Sequence, residues 1–424
     1  MAEAVVVGAG LRGMMSYGLN AEAAGINLVA VIEPSPSRRA AFAALHGLDD
    51  DRQFASVEEW LAGPRLAEAA IIATPDAHHV APTVAALGAG HHVLLEKPMA
   101  QSEEECRRLV EAAERAGRGL HICHVLRYTP FFRAVREVVR SGRLGRIITV
   151  EHRENVDARH MAHSYVRGAY RRADESNPML LAKSCHDLDL LHWILDDPVE
   201  RVSSFGSLTH FRPESVGDEI PDRCTDGCPV AEACIFDAVR AYAPESLDLG
   251  SEITMLTGIF PLEDPPAFDR ESRLRSLDSS EYGRCVYRCD NDVVDHQVLN
   301  MELASGTTVS LTMHGHSHEE GRTMRYDGTL ATLRATFTGN PEITVIDHGT
   351  GEQHAIDFDG STGLGHGGGD VGLLSAFARW LDAGAPTDDA MLSSDARSTL
   401  VSHRVAWAAE RARTTGQVVA LPAR

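Results

Sequence analysis

Val5-Val6-Val7 runs straight into Gly8-Ala9-Gly10-Leu11-Arg12-Gly13, and this apolar strand ending in a G-x-G-x-x-G turn constrains the chain more than any other feature. Gly8 permits a tight turn, Gly10 lets backbone approach a pyrophosphate, and Gly13 lets a following helix pack close to the sheet. The motif alone is weak. Here it has the expected surroundings: a helical pattern from Met14 to Ala24, then a second strand, Asn27 to Ile32, ending at Glu33. An acid at that position accepts hydrogen bonds from the adenosine ribose hydroxyls and repels a 2′-phosphate, which predicts NAD in preference to NADP. Arg38 and Arg39 follow closely and are the feature that would favour NADP instead.

A second signal stands further on, in Leu94-Leu95-Glu96-Lys97-Pro98, where a lysine ends a buried strand. Between and around the two signals, Val5–Val7, Leu28–Ile32, Ala69–Ala73, His92–Leu95 and Leu120–His124 read as strands separated by helical patterns. That alternation predicts a doubly wound parallel sheet, a Rossmann domain over residues 1–125. Ligands of such sheets lie at the C-terminal ends of strands, so Thr74, Pro75 and Lys97 are expected to line the glycine-loop crevice.

The pattern changes after Arg127. Phe131–Arg140 reads as a helix, Arg146–Arg153 as a strand, and Pro178–Asp196 as one long helix. Val298–Leu303 and Thr307–Met313 are joined by Ala304-Ser305-Gly306, a hairpin signal, with more strand near Thr329–Phe337 and Glu342–Asp347. Residues 126–424 therefore read as an α+β domain with a mostly antiparallel sheet and helices on one side. Residues 205–285, irregular and rich in Pro, Asp and Cys, read as an insertion.

The charge of −21 argues against a nucleic-acid partner, and no apolar stretch approaches membrane-spanning length. The first strand begins within four residues, which leaves no room for a signal peptide, and eight cysteines do not suggest a secreted disulfide framework. A cytoplasmic enzyme is the expectation.

Gly8-x-Gly10-x-x-Gly13, Thr74-Pro75-Asp76, Glu96-Lys97-Pro98, Arg127 with Pro130, and His186-x-x-Asp189 together resemble the glucose–fructose oxidoreductase / inositol dehydrogenase / MocA family. The resemblance covers nearly the whole chain outside 205–285. It implies a homo-oligomeric NAD(P)-dependent oxidoreductase of sugars or cyclitols, in which a Rossmann domain is followed by an α+β domain whose large open sheet serves substrate binding and joins subunits as a dimer or tetramer. Many members carry an Asp four residues before the helix histidine; here that position is Ala182, followed by Lys183-Ser184-Cys185-His186-Asp187, a segment similar to an uncharacterised sugar-associated subgroup.

Oxidising a secondary alcohol by hydride transfer needs a base for the hydroxyl proton and a cation or donor for the developing alkoxide. His186 suits the first role and Lys97 the second. Lys183, three residues before His186 on the expected helix, would depress the imidazole or hold a substrate hydroxyl, and Asp189 would orient the ring. The expected cofactor set is Gly8, Gly10, Leu11, Arg12, Gly13, Glu33, Arg38, Thr74, Pro75, His79, Glu96 and Lys97. The expected substrate set is Arg127, His163, Tyr165, Arg167 and Asp187, with His160–Arg172 folding over the pocket and His366-Gly367-Gly368-Gly369-Asp370 as a further candidate.

Cys224-x3-Cys228-x5-Cys234 is expected to supply thiolates to a structural zinc, with Cys285-x3-Cys289 further on, because the insertion shows few regularly spaced apolar residues for a core of its own. The alternative is buried free thiols. His314-x-His316-x-His318 continues a strand, and period two would put the three imidazoles on one face as a metal- or sugar-binding row. Three activities remain open at this point: a dehydrogenase of a sugar, sugar derivative or cyclitol; the same machinery retaining its NAD for glycoside cleavage or epimerisation; and a non-catalytic NAD-binding sensor.

Overall fold

A computed structural model describes residues 1–245, 269–359, 366–386 and 392–422. Of the insertion expected at 205–285, residues 246–268 lie outside the described residues. The chain divides into two units: Met1–Ala134, Leu188–Trp193 and Phe358–Arg404 form the first, and Val135–Asp187, Ile194–Asp357 and Val405–Arg424 the second.

The first unit holds a six-stranded parallel sheet of β1 (Ala2–Val7), β2 (Ile26–Ile32), β3 (Gln53–Phe54), β4 (Ala69–Ile72), β5 (His92–Leu95) and β6 (Leu120–Ile122). The spatial order is β3-β2-β1-β4-β5-β6, so the direction of winding reverses between β1 and β4. Residues of β1, β4, β5 and β6 are buried almost without interruption, as expected of strands covered on both faces. The connecting helices start where the sequence offers caps. Ser102 and Glu105 form a reciprocal capping box for Glu103–Ala116, which stops at Gly117 in a left-handed turn.

The helix expected over Met14–Ala24 is different. Only Arg12–Gly18 is helical, wound in wide π-type turns, and residues 19–25 continue as turns. The reason is local. Asn20 donates its side-chain amide to the carbonyls of Ser16, at 2.9 Å, and Met15, which an α-helix would have given to its own backbone.

Several histidines are sealed in this unit, among them His121, His124 and His403, each at most 3% exposed. The Met99 backbone N–H donates to Nε2 of His403 at 3.0 Å, which fixes that ring as a neutral acceptor. Burial pushes His124 down to about 4 and His121 and His403 down to about 3.

The second unit holds a nine-stranded sheet of β7 (Ile147–Asp157), β8 (Val199–Ser207), β9 (His296–Leu303), β10 (Thr308–Ser317), β11 (Gly321–Gly328), β12 (Ala331–Phe337), β13 (Glu342–Asp347), β14 (Gln353–Ala355) and β15 (Val419–Ala420). Its order is β14-β13-β12-β11-β7-β10-β9-β8-β15, antiparallel except for the β7–β10 pair. The hairpin at Ala304–Gly306 forms, with Gly306 at φ +84°. Strand β11 had no signal in the sequence reading; its Arg322, Met324 and Tyr326 face inward.

The single helix expected over Pro178–Asp196 is two, Met179–Ala182 and Cys185–Leu195. The break falls at Lys183 and Ser184. The histidine row is not built either. A register shift lies between His314 and Ser317, and β10 ends before His318, so strand alternation does not carry the three rings to one face. His314 bonds Asn155, and His316 stacks on Phe211.

The insertion carries a small core after all. Ala238, Tyr242, Ala243 and Leu277 pack together on the helices Ala238–Tyr242 and Arg270–Ser279. Arginines meet its turn carbonyls: the buried Arg167 donates to Phe236 and Arg284, and the half-buried Arg223 to Leu277 and Ser280. Cys224, Cys228 and Cys234 are free thiols, and among the described residues no three His, Cys, Asp or Glu side chains gather closely enough for a single metal ion. The three-thiolate zinc site expected there is not formed.

Sealed His121, His124 and His403 set a pH dependence for the first unit. In the unfolded chain each takes a proton near pH 6.5, whereas in the fold it resists protonation until about pH 4 or below. Between those values the unfolded state binds more protons, so stability is complete above about pH 6.5 and falls as pH drops toward 4. The upper limit is roughly 1.4 kcal/mol per pH unit for each histidine. Urea midpoints between pH 7 and pH 4.5 are expected to fall, and less steeply in His403→Gln; equal slopes would remove His403 from the account.

Candidate active site

The glycine loop is shaped by two steric limits. Gly8 has φ +96°, and a Cβ there would lie 2.7 Å from the Ala73 carbonyl oxygen. A Cβ on Gly13 would lie 1.9 Å from the Gly8 carbonyl oxygen. Gly10 is under no such limit, since a Cβ there would meet nothing within 4 Å. Its lack of a side chain is unexplained by internal packing, and it is the position where backbone approach to a pyrophosphate requires glycine.

Glu33, at the end of β2, is buried beside this loop. One carboxylate oxygen accepts from the Ala9 N–H at 2.8 Å and the other from the Ser35 N–H at 2.9 Å, with Arg38 Nε at 3.4 Å. Each oxygen keeps lone-pair capacity for a ribose hydroxyl. Arg39 donates to the backbone carbonyl of Glu33. The residues present therefore fit an adenine dinucleotide.

Arg12 and Glu96, both expected against the cofactor, bond each other. Arg12 Nε reaches Glu96 Oε1 at 2.5 Å and its NH2 reaches Asp370 Oδ1 at 2.7 Å, while Tyr17 donates its hydroxyl to Glu96. The second Glu96 oxygen accepts from the Lys97 N–H at 2.9 Å. Burial alone would raise the Glu96 carboxyl, but Arg12 and Lys97 hold it below the ordinary range. His366 bonds Asp370 at 3.0 Å, so the 366–370 turn, whose glycines open the helix Gly369–Asp382, is tied to Arg12. His79 spans the carbonyls of Pro98, at 2.8 Å, and Thr74, at 3.0 Å, linking the turns after β4 and β5. Thr74 Oγ1 donates to the His78 carbonyl, Pro75 opens the next turn, and Leu11 is exposed. Lys97 is half-buried at the end of β5, within electrostatic reach of Glu96, His124 and His403.

Arg127 and Asp189 form a two-pronged buried pair, Nε–Oδ2 and NH2–Oδ1 both 2.6 Å, with Ser398 and the Ser393 carbonyl on the remaining guanidinium edge. At 2% and 1% exposure, both are spent inside the first unit. Asp189 thus anchors Arg127, rather than orienting His186 as expected.

In the second unit a buried chain of charges runs along the sheet. His152 Nε2 meets Asp187 at 2.7 Å, Asp187 meets Arg322 Nε at 2.8 Å, and Arg322 also pairs with Glu154. Lys183 Nζ lies 3.5 Å from Glu154 and 2.5 Å from Glu320, whose other oxygen holds His160 at 3.1 Å. Burial and the Asp187 charge push Glu154 up, while Asp187 overcomes burial through Arg322 and His152 and stays low. Burial opposes the Lys183 charge, but Glu320 and Glu154 outweigh it and hold the ammonium well above its usual range. Lys183 is therefore a fixed cation and donor. It stands in the break before the helix of His186, not on one face with it. His186 lies in the first turn of Cys185–Leu195, 5% exposed.

The stretch expected to fold over a pocket is packed instead. Met161–Arg167 forms a second π-type helix with His163, Tyr165 and Arg167 buried. His163 bonds the Tyr242 hydroxyl at 3.0 Å and stacks on Tyr282, so it and Arg167 brace the insertion. Asp187, with both oxygens taken by His152 and Arg322, is likewise framework. No sequence signal announced Glu154, Glu320 or Arg322, which meet only through sheet register.

Two family models match the chain: the oxidoreductase family with an NAD-binding Rossmann fold over residues 2–124, and the GFO/IDH/MocA C-terminal domain over residues 132–225. The chain belongs to the GFO/IDH/MocA family of oxidoreductases. It is 34% identical over 182 residues to 1,5-anhydro-D-fructose reductase of Ensifer adhaerens, covering 43% of this chain and 53% of the relative. It is 32% identical over 184 residues to inositol 2-dehydrogenase of Leifsonia xyli, covering 42% and 48%. The chain thus spans about half the length of these two relatives. In fold it resembles an oxidoreductase from Agrobacterium radiobacter solved with NAD+, L-tartaric acid and magnesium, with TM-score 0.68 at 14% identity over 99% of this chain and 98% of that one. It also resembles the WlbA dehydrogenase of Bordetella pertussis solved with NADH and UDP-GlcNAcA, with TM-score 0.65 at 18% identity over 100% and 99%. Among the described residues no helix is long and apolar enough to cross a membrane.

The glycine geometry separates folding from binding. Gly13→Ala is expected to lose both stability and NAD affinity, because its methyl would overlap the Gly8 carbonyl. Gly10→Ala is expected to keep the wild-type melting temperature and lose NAD affinity alone. Parallel thermal melts and NAD titrations check this; a Gly10→Ala protein that binds NAD normally would refute the assignment.

Proposed function

We propose that the protein is an NAD-dependent dehydrogenase acting on a secondary hydroxyl of a sugar, sugar derivative or cyclitol. The observation that carries the reading is the end of β5. The half-buried Lys97 follows Glu96, which Arg12 of the glycine loop holds in place, so cofactor loop and lysine are braced by one ion pair. The names of the inositol and anhydrofructose relatives support the substrate class. Glycine-loop backbone and Glu33 would hold the dinucleotide, and the nicotinamide would supply the two-electron acceptor. Lys97 stabilises negative charge growing on the substrate oxygen. His186, matched by the family motif, takes the hydroxyl proton. Lys183, locked as a cation by Glu154 and Glu320, donates to a substrate oxygen and does not act as a base. Self-association belongs to the same reading: one face of the nine-stranded sheet presents the row Phe205, Val298, Thr312, Arg153 and Thr323 across five strands.

Glu33 is expected to set cofactor choice. Fluorescence titration should give tighter binding for NAD than for NADP, and Glu33→Ser should narrow the gap with Arg38 then released. Tighter NADP binding by the wild type would end the claim.

Lys97→Met and His186→Asn are each expected to lower turnover by about 10²–10⁴ while keeping NAD affinity. The assay is a polyol screen followed by the absorbance of reduced nicotinamide. Wild-type turnover in either variant would remove that residue from the chemistry, and product without net reduced cofactor would favour a cofactor-retaining reaction.

A further inference from the structure

We infer that the N-terminal edge of the parallel sheet carries a phosphate-binding site, built from Arg65, Arg118 and His92 and separate from the dinucleotide loop. Three neighbouring connections make it. Arg65 lies just ahead of β4, Gly90 and His91 just ahead of β5, and Arg118 just ahead of β6. β4, β5 and β6 are adjacent and parallel, so their entry loops meet at one edge. Lys97 and the cofactor turns lie at the other end of β5, on the order of 15 Å away at about 3.3 Å per residue.

The space over Gly90 is a cradle faced by guanidinium nitrogens. A Cβ on Gly90 would lie 3.6 Å from Arg65 Nη1, 3.9 Å from Arg118 Nη2 and 4.0 Å from Arg118 Nε, and these are the three atoms nearest to it. Two like charges converging on one point repel each other. Among the described residues neither guanidinium has a carboxylate partner. Arg65 donates to the Gly90 carbonyl at 2.9 Å, and Arg118 meets the His92 ring. Glu68 stands nearby, its half-exposed carboxylate 3.9 Å from His92 Nε2, beyond hydrogen-bond distance.

His92 gives a second, independent sign. Burial, then Arg118 and Arg65, push its imidazole down to about 4, so near neutral pH the ring carries one proton. The Gly119 N–H donates to Nδ1 at 2.9 Å, which leaves that proton on Nε2. Nε2 lies 3.2 Å from Arg118 Nη1. A guanidinium nitrogen accepts nothing, so two donors face each other there without an acceptor between them. The ring is held in this pose, 5% exposed and edge-on to Trp380 at 5.0 Å. An acceptor seated over Gly90 would serve both N–H groups and offset both guanidinium charges.

The donor set selects the ligand class. Arg65, Arg118 and His92 Nε2 offer N–H groups alone, which calls for an anion. Planar guanidinium forks match the oxygen edges of a tetrahedral oxyanion, and two positive charges balance a phosphate dianion. The chain as a whole carries a net charge of −21, so this paired-arginine cradle is not one part of a generally basic surface. Inorganic phosphate and the phosphate group of a small metabolite share this chemistry.

The test uses the full chain saturated with NAD, so that the glycine loop is filled. Inorganic phosphate is titrated by calorimetry at constant ionic strength, with Trp60 against His91 and Trp380 against His92 as fluorescent reporters. The expected result is one saturable site, weakened roughly tenfold or more in Arg118→Gln and in Arg65→Gln, as for the loss of one charge-assisted contact. NAD affinity should be unchanged in both. Should Arg118→Gln not fold, Arg65→Gln replaces an exposed side chain and carries the test. A hexose phosphate is titrated in parallel: tighter binding than phosphate supports the site with a metabolite as its ligand, and equal or weaker binding supports it with the free ion. No saturable phosphate binding, affinity unchanged in both arginine variants, or binding that emerges only in Asp388→Asn or Asp389→Asn, positions outside the described residues, would each overturn the inference.

Discussion

The Glu96 carboxylate, buried at the end of β5, is the contact on which the cofactor half depends. Arg12 reaches it from the glycine loop, Tyr17 from the π-type turns that follow, and Lys97 through its own backbone N–H. Arg12 passes the connection on to Asp370. One carboxylate thus ties together three chain segments distant in sequence. Without it, Arg12 would keep Asp370 as its carboxylate partner but lose the other, and the turn carrying Lys97 would lose its fixed acceptor. Arg12 is a quarter exposed, so removing Glu96 costs less than the about 3–5 kcal/mol of a fully buried pair, yet still more than the pair adds over an apolar replacement. The network therefore specifies position more than it adds stability.

The second unit applies the same rule on a larger scale. From His152 to His160, acidic and basic side chains alternate along β7, β11 and the residues beside them, each within ion-pair distance of the next. The consequence for chemistry is that protonation states are set by neighbours rather than by solvent. Lys183 is fixed as a cation and Asp187 as an anion, while burial and the Asp187 charge push the Glu154 carboxyl up. Under our reading a polar substrate would meet a prearranged set of donors, with little reorganisation needed as charge develops. The His-x-x-Asp motif divides its labour accordingly: Asp189 is consumed in holding Arg127, which leaves the histidine as the member that serves the reaction under our reading.

The insertion shows how a segment poor in regular apolar spacing can still fold. Four side chains make a minimal core, and arginines replace missing secondary structure by donating to turn carbonyls. Its cysteines are brought together by a two-residue bridge between 223 and 284, a contact with no trace in local pattern.

Local chemistry determined much of this protein from the sequence alone. Strands β1, β2, β4, β5 and β6 were legible because buried parallel strands are continuous apolar runs bounded by turns. Glycine positions 8 and 13 were legible because their roles are steric and short-ranged. The β9–β10 hairpin was legible because Gly306 marks its turn. What the sequence could not decide is who meets whom. The break at Lys183, the stop after Gly18, the unannounced β11 and the register shift before Ser317 arise from competition between side chains and backbone that period counting does not weigh. Arg127, His163, Arg167 and Asp187 look like ligand-seeking polar residues in a one-dimensional reading. Only the tertiary structure gives each a buried internal partner, because a charge under a sheet must be matched by whatever the fold brings within about 3 Å.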